Sequence, residues 1–119
     1  MVIFYAPTII ENPPKHAKVV KEEVFGPVVS IFMFENLDDA IKEANDSKYG
    51  LHAGIFTRDV KTALYAAKNL QFGGVMINDS SDFRVDYMPF GGYKLSGIHR
   101  EGLRFAMDIM TEIKMVMIK

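Results

Sequence analysis

The chain of 119 residues contains no cysteine and no tryptophan, and its charges nearly cancel, with a formal net charge of -1. The lack of cysteine excludes disulfides, thiolate metal sites and any cysteine nucleophile. The balanced charge gives no electrostatic reason to expect nucleic acid or an anionic membrane as a partner. No apolar run is long enough to span a membrane, and the N-terminus lacks the pattern of a signal peptide. These absences favour a cytoplasmic protein.

What is present is enough apolar material for a core, because 49% of the residues are hydrophobic. The centre of the chain alternates between two kinds of hydrophobic pattern. Residues 28–34 are a near-continuous apolar run, which predicts a strand buried on both faces. Asn36 is placed to cap a helix that follows, and Asp59 is placed to cap a second one. Residues 53–57 and 75–78 read as further strands, and Gly73 or Gly74 is expected to end the second helix.

The order strand, helix, strand, helix, strand predicts an α/β fold with parallel strands, because crossovers of this length return the chain in the same direction. Before this core, residues 2–5 and 8–10 read as a strand broken at Pro7, and residues 16–22 as a short helical turn. After it we expect a loop over residues 79–97 and an amphipathic helix that ends at Met110. Residues 111–119 read as a final strand with apolar side chains on both faces. We therefore divide the chain into residues 1–110 and a terminal strand, residues 111–119.

Two segments resemble the C-terminal part of the aldehyde dehydrogenase family. Residues 21–27 read KEEVFGP, and residues 89–97 read PFGGYKLSG, which is similar to the family's Pro-Phe-Gly-Gly-x-Lys-x-Ser-Gly segment. The resemblance runs from about Phe4 to the C-terminus. It implies the βαβαβ parallel-sheet core of an aldehyde dehydrogenase catalytic domain, followed by a C-terminal helix and an oligomerisation strand.

The resemblance implies a cofactor role for Glu23 and Phe25. In the family, the glutamate at this position binds the ribose hydroxyls of NAD or NADP, and the phenylalanine packs near the nicotinamide. A carboxylate suits the first role because it accepts two hydrogen bonds from a diol. The alternative is that Glu22 and Glu23 are a solvated pair before a turn. We expect NAD or NADP to bind in the full-length family and none to bind this chain alone.

The same resemblance places the substrate pocket near Phe83, Arg84 and Phe90. Residues 78–84 are similar to the branch that acts on lactaldehyde, glyceraldehyde and succinate semialdehyde. Phe83 would wall the pocket, and Arg84 would meet an anionic or hydroxylated substrate through its guanidinium group. The alternative is that Arg84 pairs with Asp82 or Asp86 on the surface.

The family mechanism also needs a cysteine thiolate, a glutamate base and a Rossmann-type domain, and in the family all of these precede the stretch seen here. We therefore expect a C-terminal fragment that has no catalytic residue of its own and is inactive alone. Its partners would be the missing N-terminal portion or other copies of itself, paired through residues 111–119. The alternative is a free-standing remnant or split subunit, a non-catalytic oligomerising module. The histidines show no metal-ligand spacing, and His99 stands where the family usually has glycine.

Overall fold

A computed structural model describes residues 4–119 of the chain. In chain order its elements are β1 (Thr8–Glu11), α1 (Lys18–Lys21), β2 (Val28–Ile31), α2 (Leu37–Asn45), β3 (His52–Ile55), α3 (Val60–Asn69), β4 (Gly74–Ile77), a short 3-10 helix (Lys94–Ser96) and α4 (Leu103–Met110). The predicted α/β class is confirmed, and so is the central order of strands and helices. The predicted strand at residues 2–5 lies partly outside the described residues, and Phe4 and Tyr5 belong to no strand.

The strands form two parallel pairs. β1 pairs with β2, with Thr8 opposite Val28, and β3 pairs with β4, with His52 opposite Gly74. The chain divides into two compact units, the first ending at Ala40 and the second beginning at Ile41. Each unit holds one of the two sheets. Parallel pairing follows the prediction, but the sequence did not show that the segment before α1 supplies the partner of β2.

The two predicted helix caps are confirmed by hydrogen bonds. Asn36 Oδ1 accepts the backbone N–H of Asp39 at 2.9 Å, and Asn36 Nδ2 donates to Asp39 Oδ2 at 2.7 Å. At α3, Asp59 Oδ2 accepts both the backbone N–H and the hydroxyl of Thr62, at 2.8 and 2.6 Å. Each cap satisfies a backbone donor that the first turn of a helix leaves free. The hydroxyl and the N–H of Thr62 also hold the pKa of the Asp59 carboxyl below its usual value.

The predicted end of α3 is wrong. The helix ends at Asn69, and Leu70 caps it through a backbone hydrogen bond to Ala66, so no glycine closes it. Gly74 is instead the first residue of β4. At Gly73 a Cβ atom would overlap the backbone carbonyl of Gly91. This glycine therefore permits a close backbone approach and has no capping role.

The prediction that β2 is buried on both faces is also wrong. Its side chains alternate between half-buried and exposed, because the strand pairs with β1 on one side only, and Val29 and Ile31 remain exposed in the described part of the chain. Among the described residues the buried hydrophobic side chains are Ile41, Ala63 and Ala66. Much of the apolar surface that the composition provides therefore faces outward.

Residues 111–119 form no ladder with another strand in the described chain, so the predicted terminal strand is not present as one. All nine side chains are exposed, and Ile113 is as exposed as in an extended peptide. The segment does not fold back onto its own sheet. A strand is defined by hydrogen bonds to a neighbour, and this single chain offers none here.

Candidate functional site

The cofactor candidates Glu23 and Phe25 lie in the loop that joins α1 to β2. The loop is short and locally braced: the N–H of Gly26 donates to the carbonyl of Val24 at 3.0 Å, and the N–H of Thr8 donates to the carbonyl of Pro27 at 2.8 Å. These bonds fix the entry into β2 against β1. The sequence-predicted pair is thus held in one braced loop at the edge of the first sheet.

Both candidate side chains in this loop are open to solvent. The Phe25 ring is 94% exposed, and Glu23 is exposed too. Within residues 4–119 the carboxylate of Glu23 accepts no hydrogen bond from the protein, so both of its oxygens are available to a diol. A Cβ atom built on Gly26 would meet nothing within 4 Å. The residues therefore fit the ribose and nicotinamide end of a dinucleotide, although the chain itself supplies no phosphate-binding glycine loop.

In the second unit, the loop of residues 79–88 leaves β4 and turns back along β3. The turn is made by Asn78, whose φ of 58° lies in the left-handed region that asparagine tolerates. Its N–H donates to the carbonyl of Ile55 at 2.7 Å, and its side-chain oxygen accepts the N–H of Thr57 at 2.8 Å. At Gly54 a Cβ atom would lie 2.6 Å from the carbonyl oxygen of Asp79. The loop therefore begins directly against the backbone of β3.

Arg84 and Phe90, two of the predicted pocket residues, are in contact. The guanidinium carbon of Arg84 lies 4.1 Å from the centre of the Phe90 ring, which is a close cation–π distance. Arg84 Nη2 also lies 3.3 Å from Glu101 Oε2. The backbones of Phe90 and Glu101 form an isolated antiparallel bridge, which brings the carboxylate to this position. Arg84 is thus held between an aromatic face and a carboxylate.

The surface alternative for Arg84 named the wrong partners. The carboxylate that pairs with it is Glu101, and Asp82 instead accepts a hydrogen bond from the hydroxyl of Ser80. Sequence reasoning missed Glu101 because it is 17 residues away, beyond any local spacing signal. Phe83, the third predicted pocket residue, is on the same loop and is 43% exposed. Its own N–H bonds locally to the carbonyl of Ser80 at 3.4 Å.

The segment of residues 89–97 is anchored on the turn after α2. The carbonyl of Gly50 accepts the N–H of Tyr93 at 2.9 Å, and the N–H of Gly50 donates to the hydroxyl of Ser96 at 3.0 Å. Lys94 Nζ donates to the backbone carbonyl of Asn45 at 2.8 Å, a structural contact. The residues with positive φ here are Lys94, Gly97 and Gly102, and His99 is not one of them, so histidine at position 99 carries no strain of that kind.

Comparison with known proteins shows the family of the chain. Residues 2–116 match the aldehyde dehydrogenase family. The chain belongs to that family. It is 54% identical, over 96% of its length, to a putative aldehyde-dehydrogenase-like protein of Sinorhizobium fredii, of which it covers 22%. This aldehyde dehydrogenase chain thus spans less than a quarter of that relative.

Solved structures agree with the sequence relatives. Aldehyde dehydrogenase 21 from Physcomitrella patens, determined in complex with the reaction product succinate, is 50% identical with a TM-score of 0.88, over 92% of this chain and 23% of that one. A glyceraldehyde-3-phosphate dehydrogenase from Methanocaldococcus jannaschii, complexed with NADP, is 49% identical with a TM-score of 0.84, over 92% of this chain and 24% of that one. At these identities the family fold extends to this chain.

Two other kinds of site are not seen in the described part of the chain. Residues 4–119 bring together no group of three or more histidine, aspartate or glutamate side chains that would hold a metal ion. No described helix combines the length and hydrophobicity needed to cross a membrane. The candidate residues of this aldehyde dehydrogenase chain lie in two loops, one in each unit, and each loop is described within its own unit.

Proposed function

We propose that this chain is the C-terminal part of the catalytic domain of an NAD(P)-dependent aldehyde dehydrogenase and acts together with a cysteine-containing portion. The family match over residues 2–116 carries the proposal. Bound NAD(P)+ would supply the two-electron oxidant for the aldehyde, and water would supply the second oxygen of the carboxylic acid, with NAD(P)H and one proton as the other products. The thiolate that attacks the aldehyde comes from outside this chain, which has no cysteine.

The role proposed for the first unit is to hold the cofactor. Glu23 would accept hydrogen bonds from the ribose hydroxyls, and Phe25 would pack against the nicotinamide. The support is their exposure in one braced loop, because a 94% exposed phenylalanine ring gains free energy when a flat partner covers it. The NADP complex of the Methanocaldococcus jannaschii enzyme is consistent with this role.

The role proposed for the second unit is to border the substrate. Phe83, Arg84 and Phe90 would line the pocket, and Arg84 would favour an aldehyde that carries an anionic or hydroxylated group. Arg84 is 43% exposed while it pairs with Glu101, so part of its donor set remains free for a substrate. The relatives complexed with succinate and named for glyceraldehyde 3-phosphate handle anionic compounds, which supports the same class.

The activity test compares this chain alone with an enzyme that joins it to the cysteine-containing portion. NAD(P)H absorbance is followed with glyceraldehyde, lactaldehyde and succinate semialdehyde as substrates. We expect oxidation by the complete enzyme and none by the chain alone. A rate that copurifies with the chain alone would overturn the proposed dependence, and an inactive complete enzyme would overturn the proposed function and favour the non-catalytic module.

The cofactor role has its own test in the complete enzyme. Glu23→Gln keeps the size of the side chain but removes its charge, so we expect weaker cofactor affinity or lower kcat, by about tenfold. Glu22→Gln is the matched control. Glu22 is the carboxylate next to Glu23 in the chain and is the C-cap residue of α1, so the same change of charge is made at a residue with no proposed cofactor role. Unchanged kcat and cofactor affinity in Glu23→Gln would refute the role.

The proposal also includes a location and a partner. We place the chain in the cytoplasm, which cell fractionation would check. We propose that it associates either with the cysteine-containing portion or with other copies of itself, because the apolar side chains of residues 111–119 are exposed and unpaired within the described chain.

A further inference from the structure

His52, the first residue of β3, makes a hydrogen bond to the loop that leaves the neighbouring strand. Its Nδ1 lies 2.9 Å from the backbone carbonyl oxygen of Ser81. A carbonyl oxygen only accepts, so Nδ1 must carry the hydrogen. His52 itself is half-buried.

The ring of His52 is held on two further sides. Its centre lies 5.0 Å from that of Phe90 with the planes at 83°, an edge-to-face contact. Gly74 lies opposite His52 in the β3–β4 ladder, and a Cβ atom there would come within 2.7 Å of the imidazole Cδ2. Only glycine at position 74 leaves room for the ring in this orientation.

These contacts connect β3 to the candidate substrate pocket. The Phe90 ring contacts both the His52 ring and the guanidinium of Arg84. Ser81 is two residues before Phe83 on the same loop. In the described chain, the backbone-to-backbone bonds made within residues 79–88 are local ones, from Phe83 to Ser80 and from Met88 to Val85. The bond from His52 therefore ties the middle of this loop to the sheet.

We infer that His52 is a positioning residue that fixes the loop of residues 79–84 and thereby sets which aldehydes the complete enzyme accepts. The claim about substrate choice rests on the proposed function, because only an active enzyme selects among aldehydes. The claim that His52 fixes the loop does not depend on it. His52 acts through its contacts with the Ser81 carbonyl and the Phe90 ring. The proposed role requires no contact between His52 and the reacting atoms. Removal of the bond would let Phe83 and Arg84 shift together, because they follow Ser81 by two and three residues on the same loop.

Two substitutions separate the hydrogen bond from the ring packing. His52→Phe keeps an aromatic ring against Phe90 but has no donor for the carbonyl of Ser81. His52→Asn loses the ring but places an amide N–H at the same number of bonds from the backbone as Nδ1. If the hydrogen bond positions the loop, His52→Asn retains the wild-type behaviour and His52→Phe does not. If packing alone matters, the order is reversed.

The first measurement is amide hydrogen exchange in the chain itself. We expect residues 80–84 to exchange about three- to tenfold faster in His52→Phe than in wild type or His52→Asn, the effect of one lost hydrogen bond. Exchange in α3 serves as the internal control for global unfolding. Equal exchange of residues 80–84 in all three proteins, or faster exchange only in His52→Asn, would overturn the positioning role.

The second measurement uses the complete enzyme. We expect His52→Phe to raise KM for succinate semialdehyde several-fold relative to a neutral aldehyde, with kcat within about twofold, and His52→Asn to restore the ratio. If the wild-type enzyme is active but the KM ratio is the same in His52→Phe, the specificity role is wrong while the proposed function stands. If the wild-type enzyme oxidises no aldehyde, the proposed function and the specificity role both fail, and the exchange experiment alone decides whether His52 holds the loop.

Discussion

Lys94 Nζ donates a hydrogen bond of 2.8 Å to the backbone carbonyl of Asn45, the last residue of α2. The donor and acceptor are 49 residues apart in sequence. The ammonium group therefore satisfies one of the carbonyls that the end of a helix leaves free, where positive charge is also favoured by the helix dipole. Lys94 adopts a φ of 56°, a strained value for lysine, so the contact is made at a backbone cost.

We expect Lys94→Met to destabilise the chain by about 1 kcal/mol, because it keeps the length of the side chain but leaves the Asn45 carbonyl without this donor. The measurement is the midpoint of urea unfolding. Lys114→Met is the control, because residue 114 lies in the exposed terminal segment. A loss of stability equal in the two variants would show that the bond to Asn45 contributes nothing.

A second prediction concerns the contact between Gly73 and Gly91. A methyl group at position 73 would overlap the Gly91 carbonyl, so backbone must move to admit it. We expect Gly73→Ala to lower the free energy of unfolding by about 2 kcal/mol or more, and to disturb the segment that carries Phe90. The control is Gly26→Ala, whose Cβ atom would meet nothing within 4 Å. Similar unfolding midpoints for the two variants would contradict the close approach.

The third prediction is the pH dependence of the α3 cap. The pKa of Asp59 is lowered in the folded chain, first by the Thr62 hydroxyl and then by the Thr62 N–H. A depressed carboxyl pKa gives stability that is present above the unfolded pKa of 3.8 and is lost as the pH falls through the folded pKa. Asp59→Asn keeps an oxygen for the cap but cannot titrate. We expect the stability difference between wild type and Asp59→Asn to shrink below pH 3.8, as measured by thermal unfolding. A difference that is constant with pH would contradict the assignment.

The fourth prediction concerns self-association through residues 111–119. We expect the chain to be oligomeric at tens of micromolar, because this segment exposes apolar side chains and has no ladder partner in the described chain. The measurement is light scattering coupled to gel filtration, with a chain truncated after Met110 for comparison. A monomeric chain, or an oligomer that survives the truncation, would exclude this segment as the assembly element.

Features that depend on neighbours within a few residues were predictable from the sequence. The caps at Asn36 and Asp59 bond to groups three residues ahead, and the hydrophobic spacing of α2 and α3 records a 3.6-residue period. The motif around Glu23 and Phe25 was equally visible, since its residues are adjacent in the chain. The family and the fold class could be predicted from these local signals, because such signals can be read without knowing any long-range contact.

Tertiary structure alone decided which distant groups meet. The spacing of residues in the sequence does not indicate that Arg84 pairs with Glu101 or that His52 bonds to Ser81. It also does not indicate that the backbone of Gly91 lies against Gly73. The pairing of β1 with β2 and the exposed state of residues 111–119 belong to the same class. Each of these features depends on chain segments that are brought together only by folding. The free energy of their contacts is set by geometry and burial, which local sequence patterns do not specify.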